Sequence, residues 1–218
     1  MIVISSQMEL AIGEIEQERA VQKEDTHALQ KVVPEPVIKH PLQNKWALWY
    51  FKNDRTKTWN DNLKLVATFQ FVEDFWALYN FIQPASKLPG GCDYSVFKDG
   101  IQPAWEDVRN QKGGRWLINV NKKQQDLDFY WLELLLCLIG EAFGEQSDDI
   151  CGAVVNIRGK GDKIALWTSD GDNEEGIKYI GQLVKERLGM GAMSEINYFV
   201  HEDSISRTGS QTQCKFKQ

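Results

Sequence analysis

Between residues 63 and 82 the hydrophobic period changes with no break in between. Leu63, Leu65, Ala67, Phe69 and Phe71 alternate with Lys64, Val66, Thr68 and Gln70. A period of two belongs to a strand with one face buried. From Val72 the apolar residues recur as Val72, Phe75, Trp76, Tyr79 and Ile82, a single helical stripe. Glu73 and Asp74 fall in the first turn, where the helix dipole favours acids. Phe71 precedes this helix where a Ser or Thr cap would be usual. The chain must therefore mix both element types, and it does so repeatedly. Trp46 to Phe51 reads as an apolar strand, Arg115 to Val120 as another, and Lys87 to Gly91 as a turn-rich loop. A second helix is expected from Asp126 to about Phe143, and a third from Asn173 to a stop at Gly189. Residues 150–158 and 163–169 are expected to form a hairpin through Gly159-Lys160-Gly161-Asp162, and Glu195 to Val200 a final strand. Strands outnumber helices, which predicts an α+β domain on an antiparallel sheet.

Residues 1–39 read as an acidic, disordered tail with a Pro34-Glu35-Pro36 break, and residues 40–218 as the folded domain. Residues 202–218 read as a polar, mobile end. The 31 acids against 25 bases give a net charge of −6. A protein that coats long nucleic acid carries a basic balance, so any contact of that kind here is local and short. Cys92, Cys137, Cys151 and Cys214 show no CxxC spacing, which predicts reduced thiols rather than disulfides or zinc. The longest apolar run, Leu134 to Ile139, cannot span a bilayer.

Two tryptophans stand apart from any hydrophobic run. Trp59 lies in Lys57-Thr58-Trp59-Asn60-Asp61, and Trp105 in Pro103-Ala104-Trp105-Glu106-Asp107. A wet indole is unfavourable unless it serves a partner or stacks on a flat or cationic ligand. Alternation in the expected hairpin, with Arg158 taken opposite Lys163, groups Arg158, Asn156, Lys163 and Trp167 on one face, with Lys160 at the tip. That grouping suits an anion site beside an aromatic. It equally suits a solvated basic hairpin with a core indole. Glu106 can accept two N–H bonds from a guanine edge, and it can equally be a solvated loop acid.

Long ordered segments go further. They are HPLQNKWALWYFKNDRTKTW (40–59), VEDFWALYNFIQ (72–83), GCDYSVFKDGIQPAWED (91–107), GGRWLINVNK (113–122), WLELLLCLIGEAF (131–143), DDICGAVVNIRGKGDKIALWT (148–168) and GSQT (209–212). With them the chain resembles the eukaryotic translation initiation factor 4E family, whose members bind the 7-methylguanosine cap of messenger RNA. The resemblance implies a curved antiparallel β-sheet with three long helices packed on its convex face. It implies that Trp59 and Trp105 stack on the methylated base, that Glu106 and the Trp105 backbone N–H read its edge, and that Trp167 meets the N7-methyl group. Arg158 and Lys163 would hold the phosphates, with Lys160 and Arg207 nearby. His40, Pro41, Val72, Glu73, Trp76, Leu132, Glu133 and Leu136 would receive a helical peptide from the scaffold factor 4G or from 4E-binding repressors. Ser210 matches a phosphorylation position. No cofactor or metal is implied; the location implied is cytoplasmic, with a nuclear one allowed.

Two other readings compete. A nucleotide hydrolase would need a metal-binding carboxylate cluster or a nucleophile–base pair. Asp148-Asp149 is the only tight acidic pair near the hairpin, His27, His40 and His201 show no spacing pattern, and no phosphate loop is present. A repressor-type relative would hold caps without engaging the scaffold. The residues around Trp76 argue against it.

Overall fold

Among the described residues eight antiparallel strands make one curved sheet in the order β2-β1-β3-β5-β6-β4-β7-β8. They are β1 (Pro41–Phe51), β2 (Leu63–Phe71), β3 (Asp93–Lys98), β4 (Gly114–Val120), β5 (Ile150–Asn156), β6 (Asp162–Thr168), β7 (Asn197–Val200) and β8 (Phe216–Lys217). Among the described residues four α-helices join them: α1 (Trp59–Asn62), α2 (Val72–Phe81), α3 (Leu127–Ile139) and α4 (Glu174–Arg187). This computed structural model describes residues 38–121, 127–191, 194–202 and 214–218. The tail expected over residues 1–39 lies outside the described residues except for its last two.

The longer helices cover one face. Phe75 of α2, Trp131, Leu134 and Leu138 of α3, and Ile177, Ile180 and Val184 of α4 are buried in one cluster. Across from them in that cluster lie Trp46, Leu48, Val96, Trp116, Ile118, Val155, Ile164 and Leu166. These strand residues are every second side chain, as a pleated strand with one apolar face requires. The opposite, concave face carries a smaller cluster of Phe97, Ile101, Cys151, Val154, Ala165 and Trp167, and beside it a large cavity.

Several expected elements move. The helix expected to reach Phe143 ends at Ile139. There the Ala142 N–H donates to the Cys137 carbonyl at 3.0 Å and the Glu141 N–H to the Leu138 carbonyl at 3.2 Å. Glu141 takes φ 51°, the left-handed position of this stop. Glycine usually fills that place, so the apolar run through Ala142 and Phe143 masks the end. Gly189, at φ 61°, ends α4 as expected, and Asn173 caps its start by accepting from the Gly176 N–H at 3.0 Å. β3 was not foreseen. β8 corrects the expectation of a mobile end for Phe216 and Lys217, because Asn197 pairs with Lys217 and Tyr198 with Phe216; residues 203–213 of that end lie outside the described residues. The aromatic ring of Phe216 makes this possible, packing 6.2 Å from Tyr198.

The hairpin register also differs. Asn156 lies opposite Lys163, Val154 opposite Ala165 and Gly152 opposite Trp167. The expected pairing was displaced by two residues. The loop is longer because the Asp162 carboxylate accepts the Arg158 backbone N–H at 2.9 Å, and because Ile157 bonds to Cys92 on the other side. A slip of two preserves parity, so Asn156, Lys163 and Trp167 still share a face.

Gly181 sits where α4 crosses Trp116, and a Cβ there would overlap the indole. Helix propensity alone favours Ala over Gly by roughly 0.5–1 kcal/mol. Overpacking a core costs roughly 1–3 kcal/mol and opposes it. Gly181→Ala is expected to lower the urea midpoint; a rise would show that α4 and Trp116 are not in close contact.

Candidate functional site

The concave face is built in rows across the central strands. Asp93, Asn156 and Lys163 are paired neighbours on β3, β5 and β6. Two residues along lie Ser95, Val154, Ala165 and Leu117, and two further along Phe97, Gly152, Trp167 and Arg115. Small side chains in the middle row leave a hollow. It is bordered by polar groups at one end and by an indole and a guanidinium at the other. A bulge at Cys151 resets the alternation of β5 before this stretch.

Two loops rise over the hollow. The first carries Trp59 at the start of α1. Thr58 caps that short helix, its hydroxyl accepting from the Asp61 N–H at 3.2 Å and donating to the Asp61 carboxylate at 2.7 Å. Buried Asn62 ties the loop back, donating to the Asp54 carbonyl at 2.8 Å. The second loop carries Trp105 and Glu106. Asn110, fully buried, donates through one amide nitrogen to the carbonyls of Gln102 (2.8 Å) and Ala104 (2.7 Å). The Asp107 carboxylate accepts from the N–H groups of Gln102 and Arg109, and Gln111 donates to the Glu106 carbonyl at 2.8 Å. Short polar side chains bonded to nearby backbone are the ordinary means of fixing such loops.

These elements enclose a cavity of about 820 Å³. Trp59, Trp105, Glu106, Trp167, Arg158, Lys160 and Lys163 all line it. Trp59 and Trp105 remain 45% and 44% exposed, whereas Trp167 is 7% exposed and belongs to the wall. Phe51 lies behind Trp59, with ring centres 6.1 Å apart. Arg207 and Ser210 lie outside the described residues.

Three features were not foreseen. Arg115 lines the cavity directly opposite Trp167 on the neighbouring strand. Its desolvation lowers its pKa, yet a guanidinium stays protonated in proteins. Asp93 accepts from both terminal guanidinium nitrogens of Arg158, at 2.5 and 3.1 Å, and this bonding raises the Arg158 pKa. So the cation expected to face phosphates is already partly neutralised. Third, His201 is 2% exposed with its ring 4.2 Å from Trp167. Burial, and then the Arg115 charge, depress its pKa from 6.5 to about 3. Arg115 had a local signal, since it sits off the apolar parity of Trp116, Ile118 and Val120. Asp93 and His201 had none, because their partners are far away in sequence.

The second expected site lies on the helix face. His40 binds Glu73 through its ring (2.6 Å) and its backbone N–H (2.9 Å), and its carbonyl accepts the Val72 N–H at 2.9 Å. Hydrogen bonds from His40 hold the Glu73 carboxyl at a pKa of about 2. These contacts join His40, Pro41, Val72 and Glu73 at the start of α2. One turn on, Trp76 packs its edge on Phe75 and remains 37% exposed. Leu132, Glu133 and Leu136 are half-buried on α3, and the two leucines pack on the same core. No described contact links them directly to Trp76.

A pocket with indoles on separate loops, an acid beside one of them and cations at the far end can receive a flat, phosphate-bearing ligand. Residues 41–216 match the eukaryotic initiation factor 4E family. The chain is 58% identical to eukaryotic translation initiation factor 4E of Homo sapiens over 198 residues, 89% of this chain and 91% of that one. A solved complex of C. elegans eIF4E-3 with the 4E-binding protein Mextli and a cap analog is 50% identical. It covers 83% of this chain and all of its own, with a TM-score of 0.78. Ascaris suum eIF4E-3, solved with the m2,2,7G cap, is 52% identical over 83% of this chain and 98% of its own, also at 0.78. The chain belongs to the eukaryotic initiation factor 4E family.

A buried neutral histidine makes stability depend on pH. Unfolded, His201 binds a proton near pH 6.5; folded, it resists down to about 3. Stability therefore falls as pH drops below 6.5, by up to about 1.4 kcal/mol per pH unit. The expected result is a declining urea midpoint between pH 7 and pH 5 that is shallower in His201→Phe. Parallel slopes would place His201 in contact with water.

Proposed function

We propose that this chain binds the 7-methylguanosine cap of messenger RNA without catalysis, and recruits the initiation scaffold 4G through the face around Trp76. The supporting observation is the meeting of Trp59, Trp105 and Glu106 with Trp167, Arg158, Lys160 and Lys163 at one cavity. Trp59 and Trp105 take the two faces of the base. N7 methylation makes guanine cationic, and a cation over an indole gains about 0.5–2 kcal/mol per face. Two faces favour methylated over plain guanine by roughly 5- to 1000-fold. Glu106 accepts from the guanine Watson–Crick edge through charge-assisted bonds worth about 1.5–3 kcal/mol, and adenine offers no matching donors. The Trp105 backbone N–H meets the base carbonyl, and Trp167 the methyl group.

The triphosphate runs toward Lys160, Lys163 and the Asp93-braced Arg158. Arg207 joins them by resemblance alone, and Ser210 is the phosphorylation candidate on the same footing. Partner helices, from 4G or from 4E-binding repressors, use His40, Pro41, Val72, Glu73, Trp76, Leu132, Glu133 and Leu136. Solved relatives hold cap analogs and 4E-binding proteins, which supports both halves of the reading. No helix among the described residues is long and apolar enough to cross a membrane. We place the protein's work in the cytoplasm, where capped messages are translated.

Trp105→Leu removes one face of the clamp from an exposed loop. It is expected to abolish retention on immobilised 7-methyl-GTP while the thermal midpoint stays within a few degrees; undiminished retention refutes the stacking role. Trp76→Ala is expected to lose a 4G-derived helical peptide in a pull-down and to keep 7-methyl-GTP binding. Loss of both together would mean that Trp76 supports the core rather than a partner.

A further inference from the structure

Trp167 is a buried indole whose ring N–H has no hydrogen-bond partner among the described residues. A buried indole usually finds one. Among the described residues no hydrogen bond fixes this ring, so its position depends on what packs against it. Phe97 meets it edge-on at 5.5 Å and 76°, and His201 lies 4.2 Å away at 43°. On β5, the paired residue is Gly152, which offers no side chain. On β4 it is Arg115. His201 is thus the closest ring to the indole among the contacts described.

His201 is itself anchored to closely packed backbone. Its backbone N–H donates to the Gly113 carbonyl at 3.0 Å, next to Gly114. Neither glycine has room for a Cβ: Gly113 is closed in by Thr168, Gly114 by Tyr198 and Phe199. A flat ring on an unyielding stretch acts as a stop. Burial and the adjacent Arg115 also keep this ring neutral, so it adds no positive charge beside a cationic purine.

We propose that His201 is a positioning and specificity-determining residue: it braces Trp167 from within the wall and so sets how large an N7 substituent the pocket accepts. The proposal rests on the cap-binding reading and extends it to a residue outside the cavity lining. With His201 present, Trp167 cannot recede and the space at N7 is limited to a methyl group. Without the brace the indole can move back, and bulkier substituents gain room.

The test compares 7-methyl-, 7-ethyl- and 7-benzyl-GTP with GTP by tryptophan fluorescence titration, on the whole protein and on His201→Ala, His201→Leu and His201→Phe. Wild type is expected to prefer 7-methyl-GTP over 7-benzyl-GTP. That ratio is expected to shrink about tenfold in His201→Ala, the scale on which a pocket resolves small apolar groups, and to be retained in His201→Phe. Should His201→Ala fail to fold, His201→Leu, which keeps volume but loses the flat ring, is expected to shrink the ratio in the same direction. A folded Ala or Leu variant with lowered melting temperature and an unchanged methyl-to-benzyl ratio overturns the proposal, since that is the result of a purely structural role. Wild type binding GTP as well as 7-methyl-GTP would instead sink the cap-binding reading beneath it.

Discussion

Successive side chains on an extended strand point to opposite sides, and this protein depends on that alternation in its two central strands. On β5 and β6, Ala153, Val155, Ile164 and Leu166 face the helices, while Val154, Asn156, Lys163, Ala165 and Trp167 face the cavity. One hairpin thus supplies the middle of the core and the floor of the site. A one-residue slip would put Lys163 among the helices and Leu166 in the pocket, which burial of a charge forbids. The register is therefore held by the core, and the pocket inherits its accuracy. Gly152 contributes to the same end: a Cβ there would strike Phe97 and the Val96 carbonyl, so β3 and β5 close up only over glycine.

The two half-exposed indoles need a different kind of support, because they stand outside both hydrophobic clusters. Each stands on a loop bound to itself by short polar side chains. Asn110 and Asp107 hold the turn below Trp105, and Thr58, Asp54 and Asn62 hold the turn around Trp59. Asn110 and Asn62 are buried, so their bonds are shielded from water and their loss would leave unsatisfied backbone carbonyls. Loops ordered before a ligand arrives avoid an entropy cost at binding. That makes a half-exposed indole worth maintaining.

The sequence carried most of this in local form. The strand-to-helix switch at Phe71, the cap at Asn173 and the stop at Gly189 all depend on neighbours within a few residues, and each appears where expected. Trp59 and Trp105 were conspicuous because they lacked apolar neighbours, and both line the cavity. What could not be read was set at long range or by exceptions. β3 has buried residues on both faces, so it shows no alternation. Glu141 ends a helix where glycine is usual, and its side chain is engaged instead by Asn44 at 2.7 Å. The grip of Asp93 on Arg158 spans 65 positions, and no spacing rule connects them.

That grip bears on how charge is distributed along the cavity. The chain carries −6 overall, yet Arg115, Arg158, Lys160 and Lys163 all line one hollow. Asp93 offsets Arg158, and Glu106 supplies a negative group at the base end. Fixing Arg158 with a bidentate carboxylate costs it part of its field but orients its planar fork. Lys160 and Lys163 are exposed, so their attraction for phosphates is long-ranged but screened by salt. On the proposed cap-binding reading, phosphates meet two exposed lysines around one oriented arginine. On the same reading, base selection falls to the indoles and Glu106, through short-range contacts that salt screens little. Separating the two duties in this way would let an acidic protein attract a short anionic ligand without binding nucleic acid along its length.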